Sequence, residues 1–374
     1  MKVYTQTWYR GNNYGSVLQA YALPQAIQKM GYQCEVLAYA PNRLHKWKLK
    51  LINRSIKETI NYKINELLMK CSTRSVEQAF HNLSLFDEFR KNYMQITAHC
   101  TNKKEILNVC GEDATFVCGS DQIWNPYFYD PYYFLSFVND ETRKIAYAPS
   151  FGVEEIPKYS RKGVKKQINR FNKISVREKR GAELVKELTG KEATVVVDPT
   201  LLLSNEEWSG ISAPLEEKEP YLMCYFLSNN PVYHRVAQEL ANQLGLKIRL
   251  LPMVAADFKR EETIQEPIGP REWLSLVRNA EFVLTDSFHC GLFSIRFHKN
   301  FYIFQRFSSE DKRGQNSRVQ SLLKSTKLED RMLIPGQKHT YTTISEECFD
   351  KADNELKTKI EFSKKWLEAA LQPR

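Results

Sequence analysis

A chain of 374 residues exceeds the length at which one hydrophobic core usually stops growing, so two domains are expected. Lys and Arg number 54 against 44 Asp and Glu, a formal net charge of +10, which favours an anionic partner: a phosphorylated metabolite, an acidic glycan, a lipid headgroup or nucleic acid. No apolar run reaches membrane-spanning length, and Met1-Lys-Val-Tyr-Thr opens a strand rather than a charged leader, so neither a spanning helix nor a secretory signal is expected.

The first unit reads strand, loop, helix, strand: Lys2 to Trp8, Gly11-Asn-Asn-Tyr-Gly15, Ser16 to Met30, then Gln33 to Tyr39. Val17, Leu18, Tyr21, Ala22 and Ile27 recur at helical spacing and Gly31 suits the C-terminal cap. Such a unit implies parallel strands joined by a right-handed crossover. Residues 42 to about 110 lack strand alternation and form an expected helical insertion, with Leu49, Ile52, Ile56, Ile60, Ile64 and Leu67 on one face. Strands resume at Thr115 to Cys118, Arg143 to Ala148, Lys173 to Val176 and Ala193 to Val197, separated by helices at Arg161 to Phe171 and Gly181 to Leu188. That alternation completes a Rossmann-like N-terminal domain over 1–205.

A second Rossmann-like series is expected over 215–340. It runs Tyr221 to Leu227, a helix Val232 to Leu244, Lys247 to Leu251, a helix Arg271 to Asn279, Glu281 to Thr285, a helix Cys290 to Phe297, and Asn300 to Phe304. Residues 345–374 carry a charged amphipathic helix expected to pack back on the first domain. The fold class is thus α/β, two doubly wound domains with a helical insertion in the first. Eight cysteines, at 34, 71, 100, 110, 118, 224, 290 and 348, form no CxxC pair and read as reduced, mostly buried thiols of a cytosolic protein.

The chemistry concentrates at strand ends, outside which open parallel sheets bind ligands. Gly119-Ser-Asp-Gln-Ile-Trp-Asn-Pro126 follows one apolar strand and would turn Asp121, Gln122 and Asn125 into a cleft. Asp286-Ser-Phe-His-Cys-Gly291 follows another, and the pair suggests one site with two walls. His289, between a strand end and a helix N-terminus with Asp286 beside it, suits acid/base work or anion contact. Arg177 stands at a strand end from which a guanidinium can fork onto carboxylate or phosphate, or pair with Glu178. The stretch Arg306 to Arg318 reads as a basic loop over the site, with Lys312 and Arg313 between. GxGxxG and GxxxxGK[ST] are both absent, which disfavours a nicotinamide or P-loop nucleotide site, and Asn12, Asn13 and Tyr14 suit hydroxyl recognition because they offer neutral donors and acceptors plus a ring face. No metal spacing such as HExxH occurs. A basic segment, Arg43 to Arg74 with Trp47 near its start, is a candidate for peripheral contact with an anionic leaflet, and no nucleic-acid module is visible.

Taken together, Asn13-Tyr-Gly15 with Leu18-Gln-Ala-Tyr-Ala22, Gly119-Ser-Asp-Gln-Ile-Trp-Asn-Pro126, Tyr147-Ala-Pro-Ser-Phe-Gly152, Ser175-Val-Arg-Glu178, Asp198-Pro-Thr200 and Thr285-Asp-Ser-Phe-His289 resemble the polysaccharide pyruvyltransferase family along most of the chain. The resemblance implies a GT-B-like two-domain fold, phosphoenolpyruvate as donor, and a sugar diol of a cell-surface polysaccharide, free or lipid-linked, as acceptor. The product would be a pyruvate ketal plus phosphate, with no cofactor. It places donor binding on Arg177 and His289. Arg306, Lys312, Arg313 and Arg318 are the further candidates, because Ser287 stands where some branches carry an arginine; Cys290 likewise replaces a usual glycine. His289, Asp121 and Asp286 are the expected catalytic set, Asp286 orienting His289; Asn13, Tyr14, Gln122, Trp124 and Asn125 are the expected acceptor contacts. A cytoplasmic enzyme, at most peripheral at the inner membrane face, follows. Two alternatives stay open: a nucleotide-sugar glycosyltransferase on the same fold, and a non-catalytic glycan- or membrane-binding protein.

Overall fold

Strand β1 (Lys2–Gln6) buries every position after Lys2, as a parallel strand covered on both faces requires. In this computed structural model, which describes residues 2–42, 45, 49, 73–111, 113–214, 219–308 and 314–372, β1 lies within a six-stranded parallel sheet. Its other strands are β2 (Gln33–Val36), β3 (Thr115–Cys118), β4 (Lys144–Ala146), β5 (Lys173–Val176) and β6 (Thr194–Val195), in the order β2-β1-β3-β4-β5-β6. A second parallel sheet contains β7 (Tyr221–Tyr225), β8 (Lys247–Leu251), β9 (Phe282–Thr285), β10 (Asn300–Phe304) and β11 (Met332–Leu333), ordered β11-β10-β9-β7-β8.

Both sheets repeat one topological event. The chain leaves the first strand to one side, then returns to its other side, so the order reverses between β1 and β3 and again between β7 and β9. Those reversal points open crevices at the carboxyl ends of the strands. The architecture is the α/β, doubly wound, GT-B-like one expected.

Helices α1 (Tyr14–Lys29), α2 (Thr73–Tyr93), α3 (Lys103–Cys110), α4 (Lys158–Ile168), α5 (Lys179–Thr189) and α6 (Asn205–Ile211) belong to the first half of the chain. Helices α7 (Pro231–Leu244), α8 (Pro270–Asn279), α9 (Phe288–Arg296), α10 (Asn316–Thr326) and α11 (Glu346–Leu371) belong to the second. One continuous core cluster joins the two sheets through α1, α8 and α9, with Tyr14, Leu18, Trp208, Trp273 and Phe293 all buried in it. Helix α11 bridges the same junction. Phe349 and Leu356 join that cluster, whereas Leu367 and Leu371 pack with Val3, Leu23 and Ile27 beside the first sheet. Ser363 Oγ accepts from Val197 N at 3.0 Å.

Two features depart from the reading of the sequence. The stretch from Arg306 is not loop as far as Arg318: α10 begins at Asn316, and its buried face is Arg318, Val319, Leu322, Leu323 and Thr326. The spacing of those apolar residues is helical and their burial decides the element. Strand β11 has only two residues, too few for a period to be visible. In the expected insertion, α2 and α3 are helical, whereas Ile52, Ile56, Ile60, Ile64, Leu67, Trp47 and nearly all of the basic stretch 43–74 lie outside the described residues. Among the described cysteines none is bridged; Cys34, Cys100, Cys110, Cys118, Cys224 and Cys290 are buried and Cys348 is exposed. No described helix is long and apolar enough to cross a membrane.

Candidate functional site

The first wall is built by a glycine. Gly119 has φ 134, and a Cβ there would stand 1.8 Å from the Tyr147 carbonyl oxygen, so only glycine lets the chain turn out of β3. The turn is then tied down: Ser120 N donates to Gln19 Oε1 at 3.0 Å, and Ser120 Oγ donates to Ala148 O at 2.8 Å. Asp121 follows in the left-handed region, φ 62, which aspartate tolerates better than most residues. Its Oδ2 accepts from Ser16 Oγ at 2.5 Å and its Oδ1 from Gln122 N at 2.8 Å. Asn13 caps α1, accepting from Ser16 N at 3.0 Å.

The second wall leaves β9 through Thr285, whose Oγ1 donates to Tyr225 O at 2.6 Å and accepts from Ser287 N at 3.1 Å. Ser287 then caps α9 and His289 falls in its first turn. Asp286 does not touch His289 in the way expected. Its Oδ1 accepts from Leu227 N at 2.6 Å and its Oδ2 lies 3.8 Å from Arg306 Nε, so it anchors the strand-end turn of β7 and the Arg306 guanidinium.

The carboxylate that faces His289 is Asp198, at the start of the turn after β6. Its Oδ2 receives Arg177 Nη1 at 2.6 Å and lies 3.5 Å from His289 Nε2. Its Oδ1 accepts from Thr200 N at 3.0 Å and Thr200 Oγ1 at 2.8 Å. Asp198 therefore joins the first-sheet arginine to the second-sheet histidine. Arg177 also lies 3.8 Å from Glu178 Oε2 and 4.0 Å from Asp121 Oδ1, with its guanidinium 4.5 Å from the Phe288 ring centroid. Arg318 approaches the same ring at 5.7 Å and donates to Gln315 Oε1. With the Gln122 amide oxygen turned toward it, Arg318 also donates to Gln122 at 3.0 and 3.2 Å.

Burial and charge compete throughout this junction. Burial works against ionised Asp198, but His289, Arg177 and the Thr200 amide overcome it and hold the carboxyl well below the usual range. Burial likewise works against charged Arg177, and Asp198, Glu178 and Asp121 more than restore it. For Arg318 the balance falls the other way: burial, then the Arg177 charge, outweigh Asp121 and Glu178 and lower it to about 10. Burial raises Glu178 and Asp286 despite neighbouring arginines. The centre sets Arg177, Arg306 and Arg318 among Asp121, Glu178, Asp198 and Asp286 and is under-bonded. Arg177 Nε and Nη2, Arg318 Nε and His289 Nε2 are buried without a hydrogen-bond partner among the described residues, as are Glu178 Oε2 and Asp286 Oδ2.

These groups meet at a cleft of about 860 Å³ between the two walls. Asn13, Asp121 and Gln122 line it from the first, and Asp286, His289, Arg306 and Arg318 from the second. Arg177 is 7 % exposed and stands behind them. Three expected acceptor contacts are elsewhere. Tyr14 is buried at the junction of the sheets, stacked on Trp273 at 5.6 Å and 9° with its hydroxyl donating to Ile268 O at 3.0 Å. Trp124 is fully buried against Phe134. Asn125 is 2 % exposed and caps the short turn Pro126–Phe128. Each has an apolar or backbone partner that a ligand would have to displace. Lys312 and Arg313 lie outside the described residues. Sequence reasoning missed Asp198, Ser16 and Arg10; only Asp198 carried a signal, its place just beyond a strand end. No group of three or more metal-ligating side chains occurs among the described residues.

A cleft that brings arginines, carboxylates and a histidine together between the reversal points of two parallel sheets defines a GT-B-like α/β protein. The chain belongs to the polysaccharide pyruvyl transferase family, whose model matches residues 13–306; this is a family of transferases, and its name implies a sugar acceptor. No curated protein matches the chain closely enough to count as a relative. Among solved structures, the UDP-GlcNAc 2-epimerase of Methanocaldococcus jannaschii aligns at 9% identity and TM-score 0.48, over 96% of this chain and 93% of that one. The UDP-GlcNAc 2-epimerase of Neisseria meningitidis aligns at 9% identity and TM-score 0.46, over 98% and 94%. The ADP-heptose lps heptosyltransferase II of E. coli aligns at 12% identity and TM-score 0.36, over 97% and 99%. Likenesses this distant say nothing of what this chain binds.

Proposed function

We propose that the protein transfers a pyruvyl group from phosphoenolpyruvate to two hydroxyls of one sugar in a cell-surface polysaccharide or its lipid-linked precursor, releasing phosphate and leaving a ketal. The observation that carries this reading is the pairing of Arg177 and His289 with Asp198 behind the cleft, with Arg318 over the same Phe288 ring as Arg177 and guanidinium and imidazole nitrogens left unbonded. A donor bearing both carboxylate and phosphate calls for such a cluster of guanidiniums beside a helix N-terminus.

A proton adds to the terminal enol carbon, the adjacent carbon becomes electrophilic, and a sugar oxygen bonds to it. The bond from that carbon to the phosphate oxygen breaks, and the second sugar oxygen closes the ring. Of the two hydroxyl protons, one replaces the proton spent on carbon and the other leaves with phosphate. His289 serves as the acid or as a phosphate contact, held by Asp198. Asp121, braced by Ser16, accepts a hydrogen bond from the attacking hydroxyl. Arg177 and Arg318 stabilise the charge gathering on the departing phosphate, and Arg306 caps it from the exposed side. Asp286 keeps Arg306 and the β7 turn in place.

Calorimetric titration of the purified protein with phosphoenolpyruvate and, separately, with UDP-GlcNAc tests the donor. Saturable binding of the first that is lost in Arg177→Ala supports the proposal. Binding of the nucleotide sugar alone would contradict it and favour a glycosyltransferase.

A further inference from the structure

The cleft is several times larger than a three-carbon acid phosphate requires, and Arg306 and Arg318 line only its second wall. Another part is made by the segments that follow β1, β2 and α2 and by the turn at Pro131–Phe134, which bring Trp8, Tyr9, Arg10, Tyr39, His99 and Tyr133 to the cleft wall. Thr7 Oγ1 donates to Ser120 O at 3.2 Å, so this wall begins one residue from the turn that carries Asp121.

We propose that this wall is the acceptor subsite and that it seats a pyranose ring of the glycan chain, an inference that rests on the pyruvyl-transfer reading for the identity of the reaction but not for the identity of the ligand. Trp8 is half-buried and held edge-on by Phe128 at 5.8 Å and Tyr133 at 6.2 Å. Tyr133 is braced in turn by Tyr39 at 6.0 Å, whose hydroxyl is committed to Asp130 at 3.1 Å. The ring positions are thus fixed before any ligand arrives, which lowers the ordering cost of binding. The polar tips are not committed. Trp8 Nε1 and the Tyr9 and Tyr133 hydroxyls have no hydrogen-bond partner among the described residues, and exposed Arg10 has no acidic partner among them. An apolar body with free polar tips matches a pyranose, which offers a face of C–H groups rimmed by hydroxyls.

Saturation-transfer NMR with methyl β-galactoside, methyl β-glucoside, methyl α-mannoside and lactose, each with phosphoenolpyruvate present, reads the subsite directly. At least one glycoside should bind the unaltered protein and bind at least about tenfold more weakly to Trp8→Ala. Tyr133→Phe, which keeps the ring and removes only the hydroxyl, should show a smaller loss, and phosphoenolpyruvate binding should be unchanged in both, which also shows that they fold. Glycoside binding that both variants retain in full would overturn the proposal, as would no binding by any of the four sugars. Should a glycoside bind through Trp8 while phosphoenolpyruvate does not bind at all, the glycan wall stands and the donor assignment fails.

Discussion

Gly15, in the first turn of α1, and His289, in the first turn of α9, lie in contact across the junction of the two sheets: a Cβ on Gly15 would stand 2.1 Å from His289 Nδ1 and 2.7 Å from its Cβ. The closeness to His289 Cβ means that rotating the ring cannot relieve the clash. Gly15→Ala should therefore displace the histidine and cut turnover by about a hundredfold, the scale for misplacing a reacting group by an ångström. Steady-state kinetics beside a thermal melt check this. A variant with normal turnover would show that His289 need not sit where it does.

Asp198 should matter to stability as well as to chemistry. Asp198→Asn leaves Arg177 without its closest carboxylate in a buried site and should cost about 3 kcal/mol in urea denaturation. The pH dependence has a definite sign. The folded carboxyl is held below its unfolded value, so its contribution is complete above about pH 4 and is lost as pH falls toward the depressed folded value. The Asn variant should accordingly show a flatter loss of stability with acid over that range.

Arg318 should behave in the opposite manner. It is buried beside the like charge of Arg177 and lowered to about 10, so it is held in place at a cost to the fold. Arg318→Gln should leave the melting temperature unchanged or raise it while weakening phosphoenolpyruvate binding about tenfold to a hundredfold, the worth of one charge-assisted hydrogen bond. Calorimetry with a parallel melt separates the two effects.

Tyr14 offers the contrasting case. Its hydroxyl donates to Ile268 O at the junction of the sheets, so Tyr14→Phe should cost about 1 kcal/mol of stability. The acceptor KM should not move. A raised KM would return Tyr14 to the acceptor site.

That contrast marks where the sequence was legible. Thr115–Cys118, Lys173–Val176, Lys247–Leu251 and Asn300–Phe304 fall at the expected bounds, and Glu346–Leu371 falls within the expected 345–374, because continuous apolar runs and helical spacing are local properties of the chain. Asp121 and His289 could be placed at the cleft because strand ends and the turns after them are recognisable, whereas Arg318, expected in a loop, reaches it from the first turn of α10. Tyr14 and Trp124 look the same in sequence as a sugar-binding aromatic does, and only the partner across the junction, Trp273 or Phe134, decides which way the ring faces. Asp198 was hidden for a similar reason. Its role comes from Arg177 and His289, which lie 21 and 91 positions further along or back in the chain and meet it only after both sheets have formed.

The central claim is that the junction of Arg177, Asp198 and His289 serves ketal formation from phosphoenolpyruvate. Phosphate release from phosphoenolpyruvate, measured with galactose-, glucose- and mannose-type acceptors beside His289→Ala, tests it most directly. Release should require both an acceptor and His289, with a product that mass spectrometry finds heavier by one pyruvate ketal. Release that ignores the acceptor, or a product lacking the ketal, would contradict it.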